Sequence, residues 1–251
     1  MKKKENIIGF FINNFDKNSC CIELLNSINH GNKTSWLACF NPHSYTVTKT
    51  DKEFAKALHN ADWLIPDGIG VVLASHVMGG NIKERLTGSD IFLGLSKKMN
   101  NIGGMKVFFL GSSEATLAKI KSRFLNDFPN IEISGTYSPP FKSKFNSSEI
   151  DSMILSINQS KPDVLWVAMT APKQEKWIYD NIDRIDVKFA GAVGAVFDFY
   201  SGQVKRSHSM FQIFGLEWLP RLLKQPSRLW RRTFISAPIF ILDIFKQYLN
   251  R

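Results

Sequence analysis

The chain has 251 residues, 44% of them hydrophobic, which is enough to bury one large core and excludes a disordered or low-complexity protein. Its formal net charge is +10, so its partner is anionic: nucleic acid, a phosphorylated ligand or a membrane surface. Cys20, Cys21 and Cys39 have neither the spacing of a disulfide framework nor that of a zinc site, which points to a reducing compartment.

In chain order, the short apolar run Ile7 to Ile12 predicts a first strand. It is too short for a signal peptide and ends in Asn13-Asn14. A helix is predicted near Cys20 to Ile28, then a strand over Trp36 to Phe40 and a helix near Ser44 to Leu58. Trp63 to Ile65 predicts another strand, followed by a helix from about Gly70. Lys106 to Leu110 reads as a strand running through Gly111-Ser112-Ser113 into a helix that ends near Phe124. Pro139 to Ser148 is polar with two prolines, a surface loop. Val164 to Met169 is a buried strand, with a helix near Gln174 to Ile182. This alternation predicts an α/β fold, a Rossmann-like parallel sheet flanked by helices. Phe234 to Leu242 is apolar or small throughout but far short of the ~20 residues that span a bilayer.

Three of the strand ends carry chemistry. Asp67 sits in Ile65-Pro66-Asp67-Gly68-Ile69-Gly70, where a strand delivers a carboxylate to the mouth of a parallel sheet. Gly68 and Gly70 let a substrate approach the backbone, although the same Asp also suits the cap of the following helix. The turn at Gly111 resembles a phosphate cradle but lacks the dinucleotide and P-loop fingerprints, and many such turns bind nothing. Thr170-Ala171-Pro172-Lys173-Gln174-Glu175 carries amide, cationic and carboxylate groups at a helix start, and is also an ordinary helix N-terminus. The chain has no G-x-S-x-G elbow, Walker motif or H-E-x-x-H, and its five histidines have no metal spacing. No Asp-x-Asp occurs, so a pyrophosphate leaving group would rely on Arg, Lys and helix N-termini.

Six segments in order and spacing resemble the WecG/TagA/CpsF glycosyltransferases: Phe40-Asn41-Pro42, Leu64 to Gly70, Glu84 to Asp90, Ala171 to Glu175, Gly194 to Asp198, and Gly215 to Leu222. The resemblance covers essentially the whole chain. It implies an inverting transfer of a sugar (N-acetylmannosamine, its uronic acid, glucose or a related hexose) from a UDP-sugar to a polyprenyl-diphosphate-linked sugar acceptor. Such chemistry serves wall teichoic acid, capsule, exopolysaccharide or enterobacterial common antigen synthesis, with no cofactor and no essential metal. By the same resemblance Asp67 is the general base, Asn41 positions the donor, Arg85 is a cation near the diphosphate and Gln174 is an amide in the donor loop. Cys39, Gly111 and Asp198 complete the expected substrate-binding set. Taken without the resemblance, Arg85 reads as a solvated Arg paired with Glu84 or Asp90.

The tail from Val204 to Arg251 holds nine basic residues against two acidic ones, +7 of the total charge. It resembles the family's C-terminal appendage, which docks on the membrane and completes the active site, and Arg221, Arg228 and Arg231 match its basic positions. Expected domains are therefore a core over 1–203 and an appendage over 204–251. Arg221, Lys224, Arg228 and Arg231 are spaced 3, 4 and 3, with Pro226 dividing the segment into two short helices. Basic residues interleaved with Trp, Phe and Leu suit an anionic membrane surface, while packing of the apolar side on the core is the alternative. The expected location is cytoplasmic, peripheral on the inner face of the membrane; a homo-oligomer is left open.

Some residues depart from the family pattern. Cys39 stands where Thr is usual, His43 where Glu is usual, Ala168-Met169-Thr170-Ala171 replaces a glycine-rich approach, and Arg206-Ser207-His208 replaces Arg-Ala-Pro. These changes are expected to alter which sugar is accepted. Two rival readings are a non-catalytic partner of a polysaccharide synthase and a nucleic-acid-binding protein. The second is disfavoured because the basic residues are confined to the tail and no recognition motif is present.

Overall fold

The computed structural model describes residues 4–204 and 230–250. Its first feature corrects the expectation of one strand over Ile7 to Ile12. The run is a hairpin, β1 (Lys4–Ile7) paired antiparallel with β2 (Phe10–Asn13). Ile8 and Gly9 both have positive φ, 45° and 87°, as a two-residue hairpin turn requires. The hairpin forms its own sheet and abuts the main one, with Asn13 Oδ1 accepting the Leu64 N–H at 2.7 Å.

The main sheet has six parallel strands: β3 (Ser35–Phe40), β4 (Trp63–Pro66), β5 (Lys106–Gly111), β6 (Glu132–Tyr137), β7 (Val164–Ala168) and β8 (Phe189–Ala192). Their spatial order is β4-β3-β8-β7-β5-β6. Successive side chains alternate between two apolar layers, because strand periodicity is two. Trp36, Ala38, Phe40, Phe108, Leu110, Leu165 and Val167 face one layer, while Leu37, Val107, Phe109, Val164, Trp166 and Phe189 face the other.

Helices cover both layers. The first is filled by α2 (Pro42–Thr48), α3 (Lys52–His59), α4 (Ile69–Val77), α7 (Ser147–Ser160) and α8 (Lys173–Asn181). The second is filled by α1 (Lys17–His30), α5 (Gly88–Ile102), α6 (Glu114–Asp127) and α9 (Val196–Tyr200). The helix expected over Ser44 to Leu58 is thus two helices. Asp51 accepts the Phe54 N–H at 2.9 Å and starts α3 as its cap, which ends the register of α2.

After Arg232–Ser236, a π-helical turn, comes α10 (Ala237–Leu249). It packs on α2 and α4 through Phe240 and Ile244, both buried. Its other side exposes Ile241, Leu242, Phe245 and Leu249. Among the described residues no helix is long and apolar enough to cross a membrane.

β5 connects outward to β6, whereas β7 connects the opposite way to β8. The chain therefore reverses direction between β7 and β5, and open α/β sheets bind ligands at the carboxyl ends beside such a reversal.

Candidate active site

A cavity of about 670 Å³ opens over those carboxyl ends, lined by the loops after all six strands. Asp67 follows β4 and Asn41 follows β3. Parallel pairing of Phe40 with Pro66 puts them side by side, and the Asp67 N–H donates to Phe40 O at 2.8 Å. Both line the cavity. The cap of α4 is Gly68, at φ 138°, so Asp67 stands one residue before the cap and two before the helix. Gly68 and Gly70 lie against Asn41 and Pro42; a Cβ on Gly70 would stand 2.9 Å from Pro42 Cγ.

Asn41 has a structural task as well. Its Oδ1 caps α2 by accepting the N–H groups of His43 (3.0 Å) and Ser44 (2.9 Å), which leaves its NH₂ donors for a ligand. Cys39 lines the cavity beneath them, its thiol pushed well above the ordinary value by burial and by the nearby Asp67 and Glu175 carboxylates.

Gln174 is buried and ties two loops together. Its Oε1 accepts from Met169 N (3.2 Å) after β7 and Gly194 N (3.1 Å) after β8, and its Nε2 donates to Glu175 Oε1 at 2.9 Å. Glu175 is 2% exposed, and its Oε2 has no hydrogen-bond partner among the described residues. Burial raises its pKa from 4.5 to about 7, against the pull of the Gln174 hydrogen bond. In the sequence Glu175 is only the carboxylate of a helix start. Its place on the buried side of α8 was legible only as its adjacency to Gln174.

Asp198, in α9, lines the cavity. Gly111 does not line it but shapes it: a Cβ there would stand 2.3 Å from Ala168 O, so glycine allows β5 and β7 to close at the reversal. The neighbouring Ser112 and Ser113 do line it, and Ser113 caps α6. Arg85 is part-buried and is not among the lining residues. Thr87, Gly88 and Ser89 of the same segment are, because the first turn of α5 points at the cavity. The Leu86 N–H donates to Pro66 O at 2.9 Å, which keeps Arg85 one residue from the strand end that carries Asp67.

Of the expected tail cations, Arg221 and Arg228 lie outside the described residues. Arg231 is exposed and does not line the cavity; its neighbour Arg232 does. That segment is held to α2 by several contacts. His43 Nδ1 and Ser236 Oγ are 3.0 Å apart, Thr46 Oγ1 donates to Ser236 O (3.3 Å), and Tyr45 OH donates to Asp243 Oδ2 (2.8 Å), which also pairs with Lys49. Burial, with Arg232 nearby, lowers the His43 pKa to about 4, so its ring is neutral at pH 7. Lining residues to which the sequence gave no role in the site include Arg232 and Phe141, while Lys173 and Glu175 stood out only as groups of a helix start. The unusual Cys39, His43 and Ala168 to Ala171 all line the cavity, while Arg206 to His208 lie outside the described residues.

Chemically, the cavity offers a carboxylate at a strand end, amide donors, and the N-terminal first turns of α5, α6 and α8, whose positive dipole ends suit a phosphorylated ligand. Among the described residues no group of three His, Cys, Asp or Glu could hold a metal ion.

Comparison with known proteins shows the family. The chain is 34% identical over 215 residues to the N-acetylglucosaminyldiphosphoundecaprenol N-acetyl-beta-D-mannosaminyltransferase of Bacillus spizizenii, covering 86% of this chain and 80% of the relative. The protein of that name from Bacillus subtilis is 28% identical over 218 residues, with 86% and 80% covered, and that from Staphylococcus aureus 25% identical over 218 residues, with 87% and 82% covered. The model of the Glycosyl transferase WecG/TagA/CpsF family matches residues 5–251, and the chain belongs to that family.

Proposed function

We propose that this glycosyltransferase moves a hexosyl group from a UDP-sugar to a polyprenyl-diphosphate-linked sugar at the inner face of the cell membrane, with inversion and without a metal. Asp67 takes the proton from the acceptor hydroxyl, whose oxygen bonds to the anomeric carbon as the bond to the UDP oxygen breaks. The observation that carries this reading is the position of Asp67 in the cavity. It faces the ligand space beside Asn41, and the tail segment brings Arg232 to that same cavity. Arg232, with Arg85, Arg221, Arg228 and Arg231 as further cations, offsets the charge of the two diphosphates. Gln174 and Asp198 hold the donor, and Gly111 shapes the floor beneath it by letting β5 and β7 close at the reversal.

The lipid carrier of the acceptor lies on the bilayer, and 204–251 is the appendage that docks there. The apolar outer side of α10 supports this, because a helix that is apolar on its packed side and on its free side has a second apolar neighbour. The names of the relatives support a lipid-diphosphate acceptor, with N-acetylmannosamine as one donor sugar. Donor preference resides in the wall made by Cys39, His43 and Ala168 to Ala171, where this chain departs from the family pattern.

The test is transfer to a synthetic lipid-diphosphate-N-acetylglucosamine from a panel of UDP-sugars, with and without a chelator. Asp67→Asn should lower the rate roughly 10²- to 10⁴-fold while UDP affinity and melting temperature hold. A variant as active as the parent would overturn the base assignment and favour a non-catalytic partner. Full loss on chelation would overturn the metal-free step, and N-acetylmannosamine as the best donor would overturn the role given to the departing residues.

A further inference from the structure

We infer that Glu175 is a positioning residue for the donor: from behind the cavity wall it fixes the direction in which the Gln174 amide donates. The role rests on the transferase reading above.

Gln174 and Glu175 occupy the first turn of α8, and both line the cavity while staying buried, at 4% and 2% exposed. A side-chain amide can turn over, exchanging its oxygen for its NH₂. Here three contacts oppose the exchange: Gln174 Oε1 accepts the N–H groups of Met169 and Gly194, and Glu175 Oε1 accepts from Gln174 Nε2 at 2.9 Å. Turned over, the NH₂ would face two backbone donors and the amide oxygen would face the Glu175 oxygen. Nε2 makes this one hydrogen bond among the described residues and carries a second hydrogen, which is left for a ligand. Gly194 keeps that side open, because it lines the cavity and a Cβ there would lie against Nε2, at 3.6 Å.

Glu175 Oε2, enclosed and without a partner among the described residues, is the place for a proton. Burial raises the pKa of this carboxyl to about 7, so below neutrality it is a neutral acid. In that form it still accepts from Gln174 and sets no buried negative charge beside an incoming diphosphate. The groups around it leave this intact. Cys39 of β3, pushed well above its ordinary value, stays a thiol, and β8 brings no titratable side chain. Asp51 and Glu53 of α3 are engaged by Lys176, and Lys173 by Lys142 O. Asp183 and Arg184, in the turn after α8, are exposed.

Titration calorimetry with UDP at pH 6 and pH 8, beside transfer kinetics, tests the role in two variants. Glu175→Met fills the same space without an acceptor, and Glu175→Gln restores one. Loss of one such hydrogen bond corresponds to roughly a 2- to 10-fold change in affinity. At pH 6 Glu175→Met should bind UDP that much more weakly, with the KM for the UDP-sugar raised in proportion and kcat held, and Glu175→Gln should recover UDP binding. From pH 6 to pH 8 the parent should lose up to about tenfold in UDP affinity relative to Glu175→Gln, as ionisation near 7 requires. The titration of UDP itself is common to both proteins and cancels. If Glu175→Met fails to fold, this pH comparison decides alone. Full UDP affinity in Glu175→Met, or the same loss with pH in the parent and Glu175→Gln, would overturn the positioning role while leaving the transferase reading intact. A parent protein that binds no UDP would overturn both.

Discussion

Glu175 is held where its charge is disfavoured: one oxygen bonded to Gln174, the other without a partner among the described residues, the whole group buried beside the cavity. Its folded pKa of about 7 lies above the value of 4.5 it has in solution. Between those values the folded protein keeps a proton that the unfolded chain has released. Stability from this group is thus complete below about 4.5 and is lost as pH rises to about 7, a change of roughly 3 kcal/mol for a shift of that size. Glu175→Gln, neutral at every pH, should flatten that slope and melt higher than the parent at pH 8. Melting curves from pH 5 to 8 check this, and parallel slopes in the two proteins would refute it. The residue also shows where sequence reading stops. Asp67, Asn41 and Gln174 were identified from motif order and all line the cavity. Arg85 was identified the same way and does not, because which side of a loop faces a cavity depends on packing between helices that are distant in the chain.

At the scale of elements, α10 is the piece most open to perturbation, since it rests on α2 and α4 from outside the sheet. Phe240 is 2% exposed and meets the Tyr45 ring edge-on at 5.7 Å. Phe240→Ala should cost about 3–5 kcal/mol of docking, expressed as release of the segment while the sheet stays folded. Release withdraws Arg232 and parts Ser236 from His43. Limited proteolysis should then cut after residue 230 much faster than in the parent, and transfer should fall. Acid acts in the same direction: His43 titrates near 4 when docked and near 6.5 when free, so docking weakens as pH falls between those values. Cleavage rates that match the parent's, at pH 5 and pH 7.5 alike, would contradict this. Elements hidden from the sequence have physical explanations. β8 is four residues, Phe-Ala-Gly-Ala, too short and too small to show a period. β6 contains Ser134 and Gly135. The hairpin is hidden because its turn, Ile8-Gly9, carries no polar residue and the run stays apolar from Ile7 to Ile12.

For the whole molecule, the alternation of strands and helices was readable and the parallel sheet follows from it, but the strand order was not, since it depends on contacts between distant segments. That order matters for membrane binding, because α4 starts two residues after Asp67 and lies against α10. Ile69, Leu73 and Val77 form an exposed stripe on α4, and Ile241, Leu242, Phe245 and Leu249 one on α10. On the proposed reading these stripes rest on an anionic bilayer, where each cation near the surface, such as the exposed Lys246 of α10, contributes about 1 kcal/mol. Sedimentation with vesicles should show binding to anionic lipid that weakens with salt and is lost in a Leu242→Glu, Phe245→Glu double variant. Equal binding by that variant would place the contact elsewhere.

The strand order has one more consequence, for how specificity changes over evolutionary time. On the proposed reading the base, Asp67, stands at the end of β4, while Cys39, His43 and Ala168 to Ala171, which set the sugar, stand at the ends of β3 and β7. Substitutions at those two ends can retune the sugar while the strand end that carries the base stays as it is. Variants can therefore acquire a new sugar without relearning the proton transfer, a separation of inheritance between what is moved and how it is moved.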